Sequence, residues 1–413
     1  MAASNQRNKR GPLLIPLLFA ASIWFHLAVA QTAVSNIQTW HSIVADGSIP
    51  LTVLTPGNIT KERAAPLIIY LENLVASRMG TEGDDSIVKD FLSLGYVVAK
   101  LDYDHHPRAR VPFLNRDLGK VRDEIRARQF LPDYKFDNAH IYIVPSGSRL
   151  ARDIVYYRDT NRILALDVIY PSKPAHPVGA VLEFSCDNQD RMGNTSLSIC
   201  SDTILEAEAS EGIAVAMADH PVAPPYKGLD PMPDCAFKIR AAVRTLRAEG
   251  ANLGLNGKIV PVGFSRGSGM ALMLVTTEGR AEFDGKGERQ GINSSIQGAV
   301  VMSGRFTYLD LLTNDHMLPR YSEAWGPRET SLEVWRRHSA LDYLDHKTLP
   351  LFLTINCTES PDALHQMTVL RKRLAALGTD ETFMLDPEPR GHKVTLVPDI
   401  LKSMNDYLKQ RLN

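Results

Sequence analysis

The sequence predicts an α/β architecture: a mainly parallel sheet with helices on both faces, preceded by a shorter stretch that echoes it. Three observations lead there. From about residue 164 onward, short apolar runs alternate with longer stretches of helical periodicity. The apolar runs are unbroken, as suits strands buried on both faces. The 413 residues are 44% hydrophobic and 23% charged, an ordinary globular composition with enough apolar material for such a core.

The elements follow in order. Ile163 to Tyr170 reads as a strand stopped by Pro171, and Gly179 to Ser185 and Gly212 to Ala218 as two more. Asp234 to Glu249 reads as a helix: Ala236, Ile239, Val243 and Leu246 recur at helical spacing with Lys and Arg between them, and Gly250 and Gly254 end it. Lys258 to Val262 is a strand and Ser268 to Val275 a helix. The polar, Gly-rich stretch from Thr276 to Ser295 is a surface loop. Gly298 to Met302 and Leu351 to Asn356 are strands. Leu364 to Leu377 is a helix with Met367, Leu370, Leu374 and Leu377 on one face. Thr382 to Leu385 is a strand, and Val397 to Leu412 a closing helix.

The first half echoes the second. Pro66-Leu-Ile-Ile-Tyr70 matches Gly179-Ala-Val-Leu-Glu183. Gly95-Tyr-Val-Val-Ala-Lys-Leu-Asp102 matches Gly212-Ile-Ala-Val-Ala-Met-Ala-Asp219, and His105-His106-Pro107 and His220-Pro221 come next. Ile141-Tyr-Ile-Val-Pro-Ser-Gly147 then falls where Ile259-Val-Pro-Val-Gly-Phe-Ser265 falls. The pattern fits an incomplete duplication of one core, with Gly147 standing where the second copy has Ser265; the alternative is that any two strand-helix-strand runs look alike. Asp102, Asp104, His105 and His106 are metal-capable side chains, but the repeat makes them strand-end loop residues, and no metal is expected.

The N-terminus has the grammar of a secretory signal peptide. Arg7, Lys9 and Arg10 precede an almost uncharged run from Pro12 to Val29, and Ala28-Val29-Ala30 matches a small-x-small cleavage site ahead of Gln31. The division expected is a signal peptide over 1–30, an N-terminal α/β region over 31–153 and a catalytic domain over 154–413. Export implies a secreted or periplasmic protein with no membrane association after cleavage. It also places Cys186, Cys200, Cys235 and Cys357 in an oxidising compartment, with three pairings open. None has the paired spacing of a zinc site. A net charge of −1 supplies no basic field for nucleic acid.

Gly263-Phe264-Ser265-Arg266-Gly267 is G-x-S-x-G, between an expected strand and an expected helix. A serine on such a turn is lifted above the sheet, and small residues two before and two after it relieve the crowding. The helix behind it favours developing negative charge, and the backbone N–H of Arg266 is a candidate oxyanion donor. The Arg266 guanidinium is a further candidate, for a substrate carboxylate or the oxyanion. A serine hydroxyl needs a base. His392, in Pro389-Arg-Gly-His-Lys393 between the last strand and the last helix, has the position that the order Ser, acid, His requires.

With these pieces in order, residues about 164 to 412 resemble the α/β-hydrolase esterases of the acetyl-esterase, feruloyl-esterase and dipeptidyl-peptidase-like group. The matching pieces are Leu166-Asp-Val-Ile-Tyr-Pro171, Gly212 to Asp219 with His220-Pro-Val-Ala-Pro224, the helix from Asp234, the turn at Ser265, Ser339-Ala-Leu-Asp-Tyr343 and Gly391-His392. The resemblance implies an α/β-hydrolase fold and ester hydrolysis through an acyl-enzyme, without a cofactor, on a small-molecule or polysaccharide ester. Two departures stand out. Ser185-Cys-Asp-Asn188 replaces the family's Gly-rich oxyanion stretch, leaving a backbone N–H at Cys186 or Asp187 for that task. The acid falls within Asn356-Cys-Thr-Glu-Ser-Pro-Asp362, where one alignment puts Ser360 in its place. Glu359 is favoured, and Asp362, which also suits a helix cap, is the alternative. Two other readings stay open: a prolyl-type serine peptidase, and a non-catalytic binding module of the same fold. Convergence of Ser265, His392 and one carboxylate is the observation that separates the module from an enzyme.

Overall fold

The computed structural model describes residues 34–44, 47–57, 64–72, 83–102, 136–160, 162–184, 191, 212–219, 234–285, 287–393 and 397–413. The expected signal peptide, Asp104, His105, His106, Cys186, Cys200 and the 220–224 stretch lie outside them, as does the side chain of Asp102.

Two sheets form. The first holds β1 (Val34–Val44), β2 (Gly47–Pro56), β3 (Ala65–Glu72), β4 (Val97–Asp102) and β5 (Phe136–Pro145), in the order β1-β2-β4-β3-β5. β1 runs antiparallel to β2 and β2 to β4, while β3 is parallel to β4 and β5. Helix α1 (Asp84–Ser93) comes after β3 in the chain and buries Ile87, Val88, Phe91 and Leu92.

The second sheet holds β6 (Ser148–Arg158), β7 (Ile163–Pro171), β8 (Val178–Phe184), β9 (Ala214–Ala218), β10 (Leu255–Phe264), β11 (Ala299–Met302), β12 (Leu351–Asn356) and β13 (Glu381–Asp386). Its order is β13-β12-β11-β10-β8-β9-β7-β6. The strands from β13 to β9 run parallel, and β7 and β6 complete the edge antiparallel. The helices are α2 (Asp234–Gly250), α3 (Arg266–Thr276), α4 (Leu318–Trp325), α5 (Leu332–His338), α6 (Pro361–Leu377) and α7 (Pro398–Leu412).

Successive strand residues face opposite sides of the sheet. Ala180 and Leu182 of β8 pack with Ile239 of α2, Met273 of α3 and Leu370 of α6. Val181 packs on the other side with Met404 and Leu408 of α7. Both faces are therefore covered, which is why the central strands read as unbroken apolar runs.

The two sheets repeat one plan. β1-β2-β4-β3-β5 has the order and the strand senses of β6-β7-β9-β8-β10. The registers agree as well: Leu67 pairs with Val97 and Ile141, as Ala180 pairs with Ala214 and Ile259. Carried to the strand ends, this register sets Pro145 at the place of Gly263 and Gly147 at the place of Ser265. Both turn residues have positive φ, 72° at Gly147 and 55° at Ser265.

Two local expectations need correction. The helix expected from Leu364 starts at Pro361, because Pro at the first helical position forfeits no hydrogen bond. Its cap is Ser360, whose hydroxyl accepts the Ala363 N–H at 3.3 Å, and not Asp362, which lies in the first turn. The Thr276–Ser295 loop is anchored from below. Arg240 and Arg244 of α2, expected among the polar positions, are buried. Arg240 donates to Leu274 O at 3.0 Å and Thr277 Oγ1 at 2.8 Å, and Arg244 to Glu288 O at 3.1 Å.

Candidate active site

β10 delivers its last residue, Phe264, to a sharp turn, and α3 starts at once with Arg266. Ser265 between them has φ 55° and ψ −118°, a left-handed conformation that a non-glycine residue holds only where its surroundings fix it. Its N–H donates to Met302 O of β11 at 3.1 Å. The flanking glycines are required by space. A Cβ at Gly263 would lie 2.2 Å from Gly267 O and 2.5 Å from Ser268 N, and one at Gly267 would lie 2.8 Å from Phe184 O. The turn therefore packs directly against the end of β8.

His392 comes from the segment between β13 and α7, and its side chain is 49% exposed. Its Nε2 is 3.0 Å from Ser265 Oγ and its Nδ1 is 2.7 Å from Glu359 Oε2. The ring lies 4.6 Å from that of Phe264. The loop carrying it is pinned to the end of β12: the Gly391 N–H donates to Asn356 Oδ1 at 3.2 Å and to Thr358 Oγ1 at 3.0 Å. Glu359 leaves the same strand end just ahead of α6, and its side chain is 2% exposed. Its Oε1 accepts the Ser360 N–H at 2.8 Å, and its Oε2 accepts the Ser303 hydroxyl at 2.8 Å as well as His392. Burial pushes Glu359 up, but the hydrogen bonds from His392, Ser360 and Ser303 outweigh it and hold the carboxyl below its ordinary value. An ionised carboxylate only accepts, so the Nδ1 proton belongs to His392 and leaves Nε2 to accept from Ser265.

The structure thus brings together Ser265, His392 and Glu359. Asp362 is not brought to His392. It sits inside α6, and its carboxylate meets His316 Nδ1 at 2.9 Å and Arg305 Nη2 at 3.4 Å. Asp315, His316 and Asp362 offer ligand atoms within 4.8 Å of one another, but Arg305 forks onto Asp315 at 2.9 and 3.0 Å and supplies the positive charge itself. Arg266 opens α3, so its N–H sits at the positive end of that helix. Its guanidinium acts on Tyr308 and Tyr321, whose phenols burial raises and the Arg266 charge draws back down. Cys235 is buried with its sulfur 3.1 Å from Met270 Sδ, and the Cys357 thiol donates to Pro387 O at 3.2 Å.

Two contributors escaped the sequence. Asn356 ties the histidine loop to β12, and Ser303 bonds the acid. Both stand at the carboxyl ends of parallel strands, the edge where such sheets gather their functional groups, and that edge position was the available signal.

No protein-family model and no curated protein matches the sequence. Solved structures do match by fold. A truncated carbohydrate esterase from gut microbiota superposes with a TM-score of 0.54 at 17% identity, covering 64% of this chain and 96% of its own. A bifunctional GH43-CE protein of Bacteroides eggerthii also gives 0.54, at 19% identity, over 63% of this chain and 38% of its own. Thermogutta terrifontis esterase 2, phosphonylated by sarin, gives 0.50 at 19% identity, over 64% and 95%. The strand order, the helices on both faces and these neighbours define an α/β-hydrolase fold. Among the described residues no helix is long and apolar enough to cross a membrane.

Proposed function

We propose that this protein is a serine carboxylic-ester hydrolase. The observation that carries the reading is the unbroken chain Ser265 Oγ, His392, Glu359, with contacts of 3.0 and 2.7 Å. Ser265 attacks the ester carbonyl as His392 Nε2 takes its proton. Glu359 holds the ring in the required tautomer and stabilises the cation. The developing oxyanion is held by the Arg266 N–H and by a backbone N–H near Cys186. His392 then returns the proton to the leaving alcohol, and a water activated by the same base releases the acid. No step calls for a cofactor.

The substrate we propose is an acylated carbohydrate, acetyl or aromatic. The carbohydrate-esterase names of the fold neighbours suggest it, and export through the N-terminal segment fits it. The first half is read as an incomplete copy of the hydrolase core that performs no chemistry. The test is hydrolysis of p-nitrophenyl acetate, methyl ferulate and acetylated xylan by the protein starting at Gln31, beside Ser265→Ala. Turnover of at least one ester that disappears in the variant is the expected result. Turnover that survives Ser265→Ala sinks the proposal.

A further inference from the structure

We infer that Ser303 is a positioning residue for the reaction, setting the strength with which Glu359 acts on His392. The inference rests on the hydrolase reading above.

Ser303 directly follows β11, is 2% exposed, and has φ 45°. Serine at positive φ is unfavourable, and such strain persists where the surroundings hold it in place. Here they do. The Ser303 N–H donates to Thr354 O at 3.1 Å, and its carbonyl accepts the Ser268 hydroxyl at 2.8 Å. Ser268 lies one turn beyond the nucleophile, and its hydroxyl also reaches Ser265 O at 2.5 Å. The backbone of Ser303 is therefore clamped between the acid strand and the nucleophile turn. Glycine would satisfy this backbone more easily, so the serine side chain is what the site gains.

That side chain has one partner of consequence. Its hydroxyl donates at 2.8 Å to Glu359 Oε2, the same oxygen that takes His392 Nδ1 at 2.7 Å. The other oxygen is held by the Ser360 N–H at 2.8 Å. The carboxylate is thus locked at both ends, and two donors share the oxygen that faces the histidine. A donor on that oxygen withdraws charge from the bond to His392. Without it the carboxylate pulls harder on the imidazolium, and His392 holds its proton to higher pH. A base that stays protonated longer is less available to Ser265 at neutral pH. Among the described residues, Asp386 of β13 and Lys393 line the same small cavity as Glu359 and Thr354. The Asp386 carboxylate accepts instead from the Asn356 amide at 3.1 Å.

The experiment compares wild type, Ser303→Ala and Ser303→Gly. The His392 ring is titrated by NMR, and ester turnover is measured in parallel. The expected result is a His392 pKa raised by about half a unit in both variants. With it, the acid limb of the pH profile moves up, and kcat measured on that limb falls about threefold at unchanged KM. Ser303→Gly keeps or raises the melting temperature, which separates the effect from a folding defect. An unshifted His392 titration with kcat within about twofold of wild type overturns the inference. If His392 responds to Ser303 but the wild type turns over no ester, the coupling stands and the hydrolase reading fails.

Discussion

The two halves of the molecule run the same five-strand plan and diverge at one turn. In the first half β5 ends at Pro145, and Ser146-Gly147 leads straight into β6, an edge strand of the other sheet. In the second half β10 ends at Phe264, and Ser265 leads into α3. The first turn is closed on itself. Gly147 N–H donates to Tyr70 Oη at 3.0 Å and Asp84 Oδ1 at 3.1 Å, Tyr70 donates to Asp84 at 2.6 Å, and the Ser146 hydroxyl reaches Asp84 at 2.9 Å. The second turn leaves its side-chain oxygen to a histidine. The sheet is not what separates them, since strand order and register agree. The difference lies beyond the turn, in α3 and then in β11, β12 and β13, whose ends supply Ser303, Glu359 and the His392 loop. A strand plan can recur without the contacts of Ser265, because His392 and Glu359 arrive from strands beyond the shared five.

The largest expected break in this comparison comes from the acid. Glu359→Gln should lower kcat/KM about a thousandfold to ten-thousandfold, by removing the charge that stabilises the His392 cation. Asp362→Asn, three residues on, should leave it within about twofold, since that carboxylate faces Arg305 and His316. A steady-state assay of both variants separates the two candidates. The same carboxylate has a stability signature. Its folded value lies below its ordinary one, so its contribution is present above an unfolded value near 4.5 and is lost as pH falls through the folded value. Melting curves of wild type and Glu359→Gln should therefore converge as the solution is acidified.

The next effect is steric. Gly263→Ala forces a Cβ to 2.2 Å from Gly267 O and should cost about 3 kcal/mol or abolish folding, as read by denaturant titration. Pro145→Ala, at the equivalent place in the first half, should cost less than about 1 kcal/mol, since no helix comes after it there. An intermediate effect on stability belongs to the closed turn. Tyr70→Phe removes one buried hydroxyl donor to Asp84 and should cost about 1 to 2 kcal/mol with kcat unchanged.

Much of this was legible in the sequence, for identifiable reasons. The strands of both sheets were readable because strands buried on both faces keep their apolar runs, and the matched residues Leu67 with Ala180 and Ile141 with Ile259 hold the same register in the two sheets. The turn at Ser265 was readable because it needs Gly263 and Gly267. The acid was ambiguous because two carboxylates stand three positions apart at a strand-to-helix junction. The start of α6 sets their different positions, and Ser360-Pro361, a cap followed by proline, was the local signal for it. Ser303 left no motif at all. Its contact with Glu359 comes from two strand ends meeting across the sheet, which no local pattern encodes. The burial of Arg240 and Arg244 was hidden likewise, since their partners are the Leu274 carbonyl of α3 and the Glu288 carbonyl of the loop beyond it, both distant in the chain.

The most direct test of Ser265 as the nucleophile is reaction of the whole protein with a fluorophosphonate, followed by mass-spectrometric location of the adduct. An adduct on Ser265, none on Ser146, and loss of labelling in His392→Ala are expected. Labelling of Ser146, or labelling of Ser265 that is indifferent to His392, would contradict that role.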